Sequence, residues 1–313
     1  MNYKREPLTS LQIRQTLYSN RKHIRNKAIY IRFTVYDKID QVHKLKATTF
    51  IMRKLILLLM VGVGFLASCR QPTSDPPTYT YQIPTANLDI VSIFLDAGEL
   101  SVAGSTSAEI RISSTTDCET ETTGKTLEVD CQHMEKGDKI SMDLPRSLEL
   151  EIESYQANIS LKGSVKTVQV KNTAGDNIWE DFVGNSSLWA GRGDISVKGG
   201  EGSLEMFSEH GSITVSGFNG VCSLATIMGN INFQAIYEGV SPINLESDHG
   251  TISALLPSNS NYRIRANTAS GDVICLGGNL RLKDSGCQGS TGPGKGMFEV
   301  RTVSGRIELR ILP

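Results

Sequence analysis

Ala190-Gly191-Arg192-Gly193-Asp194-Ile195-Ser196-Val197 is followed 18 residues later by Glu209-His210-Gly211-Ser212-Ile213-Thr214-Val215, and 18 later again by Ile227-Met228-Gly229-Asn230-Ile231-Asn232-Phe233. Aligned on Gly193, Gly211 and Gly229, each copy places a polar turn former next and apolar residues second and fourth. A spacing of two is the periodicity of a strand with one buried face. Further copies stand at Gly250 (Thr251-Ile252-Ser253-Ala254), Gly271 (Asp272-Val273-Ile274-Cys275) and Gly305 (Arg306-Ile307-Glu308-Leu309). Upstream, Gly98 with Glu99-Leu100-Ser101-Val102 fits, as do Gly175 with one displaced residue and Ala157 in place of Gly. From 157 to 229 the spacing holds at 18, then runs 21, 21 and 34, the last where the Cys275 to Cys287 insertion falls.

A second apolar pair recurs seventh and fifth before the Gly, as in Leu150 and Ile152, Val168 and Val170, Leu204 and Met206, Cys222 and Leu224, Ile243 and Leu245, and Phe298 and Val300. Each unit therefore supplies two short strands, and no unit can bury its apolar face alone. Stacking the units predicts an all-β chain, a β-solenoid (β-helix-like) of 18 to 21 residue coils with two short strands per coil, about 4.8 Å apart. A meandering antiparallel sandwich also suits strands at this spacing. The steady period favours the solenoid, because a coil must turn the same corner each time and a sandwich need not. At that corner Gly would supply positive φ without steric cost, and the Asp, Asn, Ser or Thr after it suits a turn. The register predicts an inward ladder of Ile195, Ile213, Ile231, Ile252, Val273 and Ile307, stacked coil on coil. No amphipathic helix of convincing length follows residue 70.

Ahead of the repeats lies a segment of another kind. Arg53 and Lys54 precede the apolar run Leu55 to Phe65 and then Leu66-Ala67-Ser68-Cys69. This is the three-part layout of a signal peptide, and its apolar run is short of the roughly 20 residues of a membrane span. Its ending resembles the lipobox of bacterial lipoproteins, which implies a diacylglyceryl group on Cys69 and membrane attachment through that lipid. The expected organisation is a basic extension over 1–51, a lipoprotein signal peptide over 52–68, a lipid anchor and flexible tether over 69–87, and the solenoid over 88–313. The extension is either untranslated, with Met52 the start, or a long basic leader; either way the mature protein lacks it. Pro72, Pro76 and Pro77 suit an extended tether. Arg70, where Asp would resemble an inner-membrane retention signal, points to the outer membrane in a two-membrane host.

The chain has 32 Lys and Arg against 33 Asp and Glu, of which residues 1–68 take 13 bases and 3 acids. The remainder holds 19 bases and 30 acids, a net charge of −11. So acidic a domain lacks the basic surface that nucleic-acid binding needs, and nucleic acid is excluded as the main partner. Five cysteines remain after Cys69. An exported location permits disulfides, and Cys118 with Cys131 and Cys275 with Cys287 would each close a short loop, leaving Cys222 reduced. The alternative is that all five stay reduced and buried. No Cys-x-x-Cys pair marks a zinc site.

The repeated Gly-Asp-Ile-x-Val pattern behind a lipobox resembles the bacterial β-strand-repeat family of unknown function whose members are named as candidate adhesins. The resemblance spans about residues 88 to 311. It implies a β-helix-like fold at the cell envelope and carries over no catalytic residue.

Candidate chemistry is sparse. His210 and His249, each beside an acid, fall on the same corner two coils apart, with backbones about 9 to 10 Å apart. Two zinc-bound nitrogens lie within about 4 Å of each other, so these read as exposed turn histidines, and no metal or cofactor is expected. Asp176, Asp194 and Asp272 take turn positions that Ser212, Asn230, Thr251 and Arg306 fill elsewhere. No Ser, His and Asp set stands out and no Gly-x-Ser-x-Gly is present. Trp179 falls on an inward position; Trp189 is outward by alternation and available to stack on a sugar ring. The expected role is structural, adhesive or binding at the envelope, toward a polysaccharide or another protein. A carbohydrate-active β-helix enzyme and an envelope-stress sensor or regulator are the alternatives.

Overall fold

The computed structural model describes residues 78–235, 240–283 and 285–313. The expected features at Cys69, in the signal peptide over 52–68 and in the basic extension lie outside the described residues. Twenty strands and no helix are found among the described residues, and none of these residues forms a helix long and apolar enough to cross a membrane.

The architecture is a β-solenoid. Each coil contributes a strand to one face, turns at the Gly corner and contributes a second strand to the opposite face. Strand Ile195–His210 carries the first face of its coil over its latter half. The chain then turns at Gly211, and Ile213–Ser216 supplies the second face. Pairing is parallel and in phase with the repeat. Ile213 stands beside Ile195 and Ile231, and Leu204 beside Cys222, which in turn stands beside Ile243. Like therefore stacks on like. Ile195, Ile213, Ile231, Ile252 and Ile307 are all buried to within 1% of complete, and each such side chain contributes about 1.5–3 kcal/mol by leaving water. Val273 is only partly buried because its coil is the outermost.

The register at Gly175 differs from expectation. No residue is displaced: Asn177 takes the inward slot beside Ile159 and Ile195, fully buried, while Ile178 points outward at 47% exposure. The cost of burying an amide is met by hydrogen bonds. Asn177 Nδ2 donates to the Gly175 carbonyl at 3.3 Å, and its Oδ1 accepts from Asn172 Nδ2 at 3.3 Å. Trp179 resumes the inward alternation two residues on and packs on Phe182 with ring centroids 5.2 Å apart.

The corner glycines are required for two reasons. Gly175 and Gly193 have φ of +116° and +119°, as a turn requirement predicts. Gly211, Gly229, Gly250 and Gly305 are absent from that region, so the turn does not explain them. Each lies against its counterpart one coil away: a Cβ on Gly211 would sit 2.0 Å from the Gly193 carbonyl oxygen, and one on Gly229 would sit 2.0 Å from that of Gly211. Close backbone approach, not conformation, excludes a side chain there.

A third inward column, three residues before the corner, is mostly polar: Ser154, Asn172, Ser208, Thr226, Ser247, Thr268 and Thr302 are all buried there, with Leu95 and Ala190 as apolar members. Thr226 Oγ1 donates to the Gly211 carbonyl and Ser247 Oγ to the Gly229 carbonyl, both at 3.2 Å. Asn172 Nδ2 reaches the Ala157 carbonyl at 2.9 Å in the same way. Small hydroxyl and amide side chains fit where the two faces converge; Asn172, Thr226 and Ser247 give corner carbonyls a donor they would otherwise lack, whereas the buried hydroxyls of Ser208, Thr268 and Thr302 find no hydrogen-bond partner among the described residues.

The coils do not stack in chain order. The first, within Ile90–Ser105, pairs directly with the start of Glu149–Ala174, while the intervening coil, made of Thr126–Cys131 and Lys139–Pro145, stacks on its other side. At the far end the last coil inserts likewise: Ile307 lies between Ile252 and Val273, and Phe298 between Ile243 and Ile264. Each end is then closed by antiparallel strands. Glu119–Thr123 covers Thr126–Cys131 and Glu109–Ser114 covers Lys139–Pro145 at one end; Gly286–Ser290 covers Tyr262–Ser270 at the other. Covering or shortening an edge strand removes a template for pairing with another chain.

Residues 79–84, which the sequence places in the tether, form a strand antiparallel to Glu109–Ser114. Tyr81 and Ile83 pack partly against the core, and the Tyr81 hydroxyl donates to Asp117 Oδ1 at 2.5 Å while accepting the Cys118 N–H at 3.2 Å. The alternation of Tyr81 and Ile83 is enough to cover an open edge. Disulfides lie in both ends: Cys118 is joined to Cys131 and Cys275 to Cys287. Cys222 is a free, buried thiol.

Candidate functional site

Outward-facing residues line up across coils as strictly as the inward ones. On the first face, four residues before each corner, the column runs Phe94, Glu153, Lys171, Trp189 and Phe207. Parallel neighbours are about 4.8 Å apart, so Phe94 and Trp189 stand roughly 14 Å apart with an acid and a base between them. Two residues back, the parallel column holds Ser92, Glu151, Gln169 and Ser187.

Together these side chains enclose a shallow groove of about 290 Å³, walled by Phe94 and Trp189. Its floor is polar. Glu153 and Lys171 form an ion pair whose side chains are 54% and 59% exposed, so water screens the attraction and the pair contributes little to stability. Ser92 Oγ donates to Glu151 Oε2 at 3.2 Å. Gln169 and Ser187 make no side-chain hydrogen bond among the described residues, leaving their amide and hydroxyl free.

Trp189 does not stand off the sheet. Its Cη2 lies 3.2 Å from where a Cβ on Gly191 would be, so the six-membered ring folds along the strand over Gly191, which is itself buried. The position of Gly191 is occupied in other coils by Tyr155, Thr173, Glu209, Ile227, Asp248 and Val303. In this coil alone among those does the backbone leave room for an indole to lie down.

The other sequence candidates separate. Trp179 is fully buried and serves the core. His210, Met228 and His249 stand in register on successive coils, with His249 Nδ1 3.3 Å from Ser304 Oγ. Among the described residues no three His, Cys, Asp or Glu side chains come together as metal ligands. Asp176 and Asp194 act structurally: each accepts, through Oδ1, the N–H of the residue 18 later, Asp194 at 2.9 Å and Ser212 at 2.8 Å. Asn158 and Asn230 do the same for Asp176 and Thr251. Asp272 lies on the outermost coil, where no further coil follows. The groove residues Phe94, Glu151, Glu153, Gln169 and Lys171 carry no signature in the sequence.

A family profile described as Toastrack DUF4097 matches residues 91–310. No curated protein matches the chain. Among solved structures, a candidate cell adhesion protein from Clostridium sporogenes ATCC 15579 is 13% identical, with a TM-score of 0.28, over 76% of this chain and 100% of that one. A candidate adhesin from Parabacteroides merdae ATCC 43184 is 12% identical, with a TM-score of 0.24, over 76% and 98% respectively.

Proposed function

The chain belongs to the Toastrack DUF4097 family, and from that membership we propose that it is an exported, lipid-anchored protein whose solenoid serves a structural or adhesive role at the cell envelope, binding a polysaccharide or another protein. The observation that carries the binding role is the outward groove between Phe94 and Trp189, set on strands paired in register with their neighbours. A rigid face costs little entropy when a ligand docks. Export is supported by the disulfides in both ends of the stack, since such bonds persist in oxidising compartments. Attachment through Cys69 rests on Leu66-Ala67-Ser68-Cys69, and Arg70 favours the outer membrane where the host has two.

Expression of the full chain in its host with a fatty-acid analogue tests the anchor. Label should appear on the protein and vanish in Cys69→Ala, which should be released into the soluble exported fraction. Unchanged labelling in the variant overturns the anchor. Retention of the solubilised protein on isolated envelopes tests the binding role, which is overturned if no retention above an unrelated exported protein is seen.

A further inference from the structure

We propose that the groove is a glycan-binding subsite, in which a neutral pyranose ring stacks on the indole of Trp189 and its hydroxyls bond to Gln169, Ser187 and the Glu153–Lys171 pair. The inference rests on the binding role above and names its ligand class.

Three observations select this chemistry. The first is the platform. With its ring folded over the buried Gly191, Trp189 is half-buried and offers one broad apolar face, the shape that the C–H surface of a sugar ring covers. An indole standing off the sheet would suit insertion into a partner's pocket instead.

The second is the floor. A hydrophobic peptide or acyl chain laid in the groove would bury the Glu153–Lys171 pair and the free Gln169 amide without replacing their water contacts, and unpaired buried polar groups are costly. A polyhydroxylated ligand replaces those contacts one for one. Hydroxyls both donate and accept, so they match a carboxylate, an ammonium, an amide and a hydroxyl alike.

The third is charge. Lys171 balances Glu153, and Glu151 keeps the groove net acidic. The domain around it is acidic too, with 19 bases and 30 acids after residue 68. A phosphorylated or carboxylated polymer would be repelled, which leaves uncharged sugars. Phe94, half-buried at the opposite wall, limits the groove to a short stretch of chain.

The chain's own composition supplies the assay. It has two tryptophans; Trp179 is fully buried, so ligand-dependent quenching of emission or protection from acrylamide reports Trp189. Chitotriose, cellotriose, maltotriose and mannotriose would be titrated into the purified full chain to about 10 mM, beyond the weak end of useful affinity. At least one should shift or protect the emission. Its binding, followed calorimetrically in the variants, should fall tenfold or more in Trp189→Ala, several-fold in Gln169→Ala, and little in Trp189→Phe, which keeps an aromatic ring and so separates stacking from folding. Binding unchanged in Trp189→Ala, or a response only to anionic vesicles or an acidic peptide, overturns the proposal. Envelope retention with no response to any of the four sugars overturns the subsite and leaves the envelope role standing; a sugar response without envelope retention supports the subsite and overturns the envelope role.

Discussion

The Oδ1 of Asp194 accepts the backbone N–H of Ser212 at 2.8 Å, from one coil to the next. Asp194 itself donates its N–H to Asp176 Oδ1 at 2.9 Å, and Asp176 to Asn158 Oδ1 at 3.0 Å. Where the residue after the corner is Asn158, Asp176, Asp194 or Asn230, it is thus an acceptor for the neighbouring coil as well as a turn former. It acts as a helix cap does, meeting an N–H that the strand ladder leaves over.

Asp194→Ala should therefore destabilise the solenoid by about 1 kcal/mol, the usual cost of losing a cap, whereas Asp194→Asn, which retains an acceptor, should lose less than half of that. Urea melts of the two variants decide it. Equal losses would mean that charge, and not the bond to Ser212, is what the site provides.

Ile213 is fully buried and Thr214 beside it is exposed. Ile213→Ala should cost about 2–5 kcal/mol through lost contacts and a residual cavity, and Thr214→Ala less than about 0.5 kcal/mol. A one-residue slip would exchange these outcomes, so the pair of melts tests register directly.

Gly211→Ala forces a methyl into the Gly193 carbonyl oxygen, 2.0 Å from the ideal Cβ position. We expect a loss of at least about 2 kcal/mol or failure to fold. Gly124→Ala, in a hairpin turn at φ +64° with open space around it, should cost nearer 1 kcal/mol, from backbone conformation alone. Thermal melts giving the reverse order would show that the corner stack tolerates a side chain.

Asp138, in the loop before Lys139–Pro145, accepts the Glu135 N–H through Oδ2 at 2.8 Å and the Thr115 hydroxyl through Oδ1 at 3.2 Å. The Glu135 bond in first place, helped by Thr116 and Thr115, holds its carboxyl below the usual range. The unfolded chain then takes up this proton at a higher pH than the folded one. The contribution is present above the ordinary carboxylate pKa and is lost as pH falls through the folded value. Stability of wild type and Asp138→Asn should differ at pH 7 and converge as pH falls through the folded value; a constant difference across pH would refute the assignment.

Burial pushes the Cys222 thiol up to about 12. Native protein should not react with iodoacetamide at pH 8, because the thiolate is the nucleophile, and labelling should follow unfolding in denaturant. Rapid labelling of the folded chain would place Cys222 outside the core.

The 18-residue period, the inward isoleucines and the two Cys pairings are legible because each is local or periodic. The polar inward column is not. Thr226 and Ser247 break the apolar alternation, and only the corner carbonyls they meet explain them; Ser208 stands in the same column with its hydroxyl unpartnered among the described residues. Coil order is hidden for a related reason: every unit carries the same pattern, so the repeat does not say which neighbour a coil takes. The groove depends on that order. Phe94 lies beside Glu153, 59 residues away, because the first coil docks directly on the third; stacking in chain order would have put Asp130 there instead.

The placement of Ile307 between Ile252 and Val273 also bears on how the protein is made. A chain emerging from its amino terminus could complete the central coils one after another, yet the coil at Val273 has nothing to dock on until Gly296–Ser304 and Ile307–Leu312 arrive. The coil of Gly296–Ser304 and Ile307–Leu312 is thus a keystone. A chain truncated before it, by a premature stop or a protease, would leave the row from Ile252 to Pro257 open as an unpaired template for another molecule. Only molecules that carry this coil close that end of the stack, so the topology itself separates them from chains cut short of it.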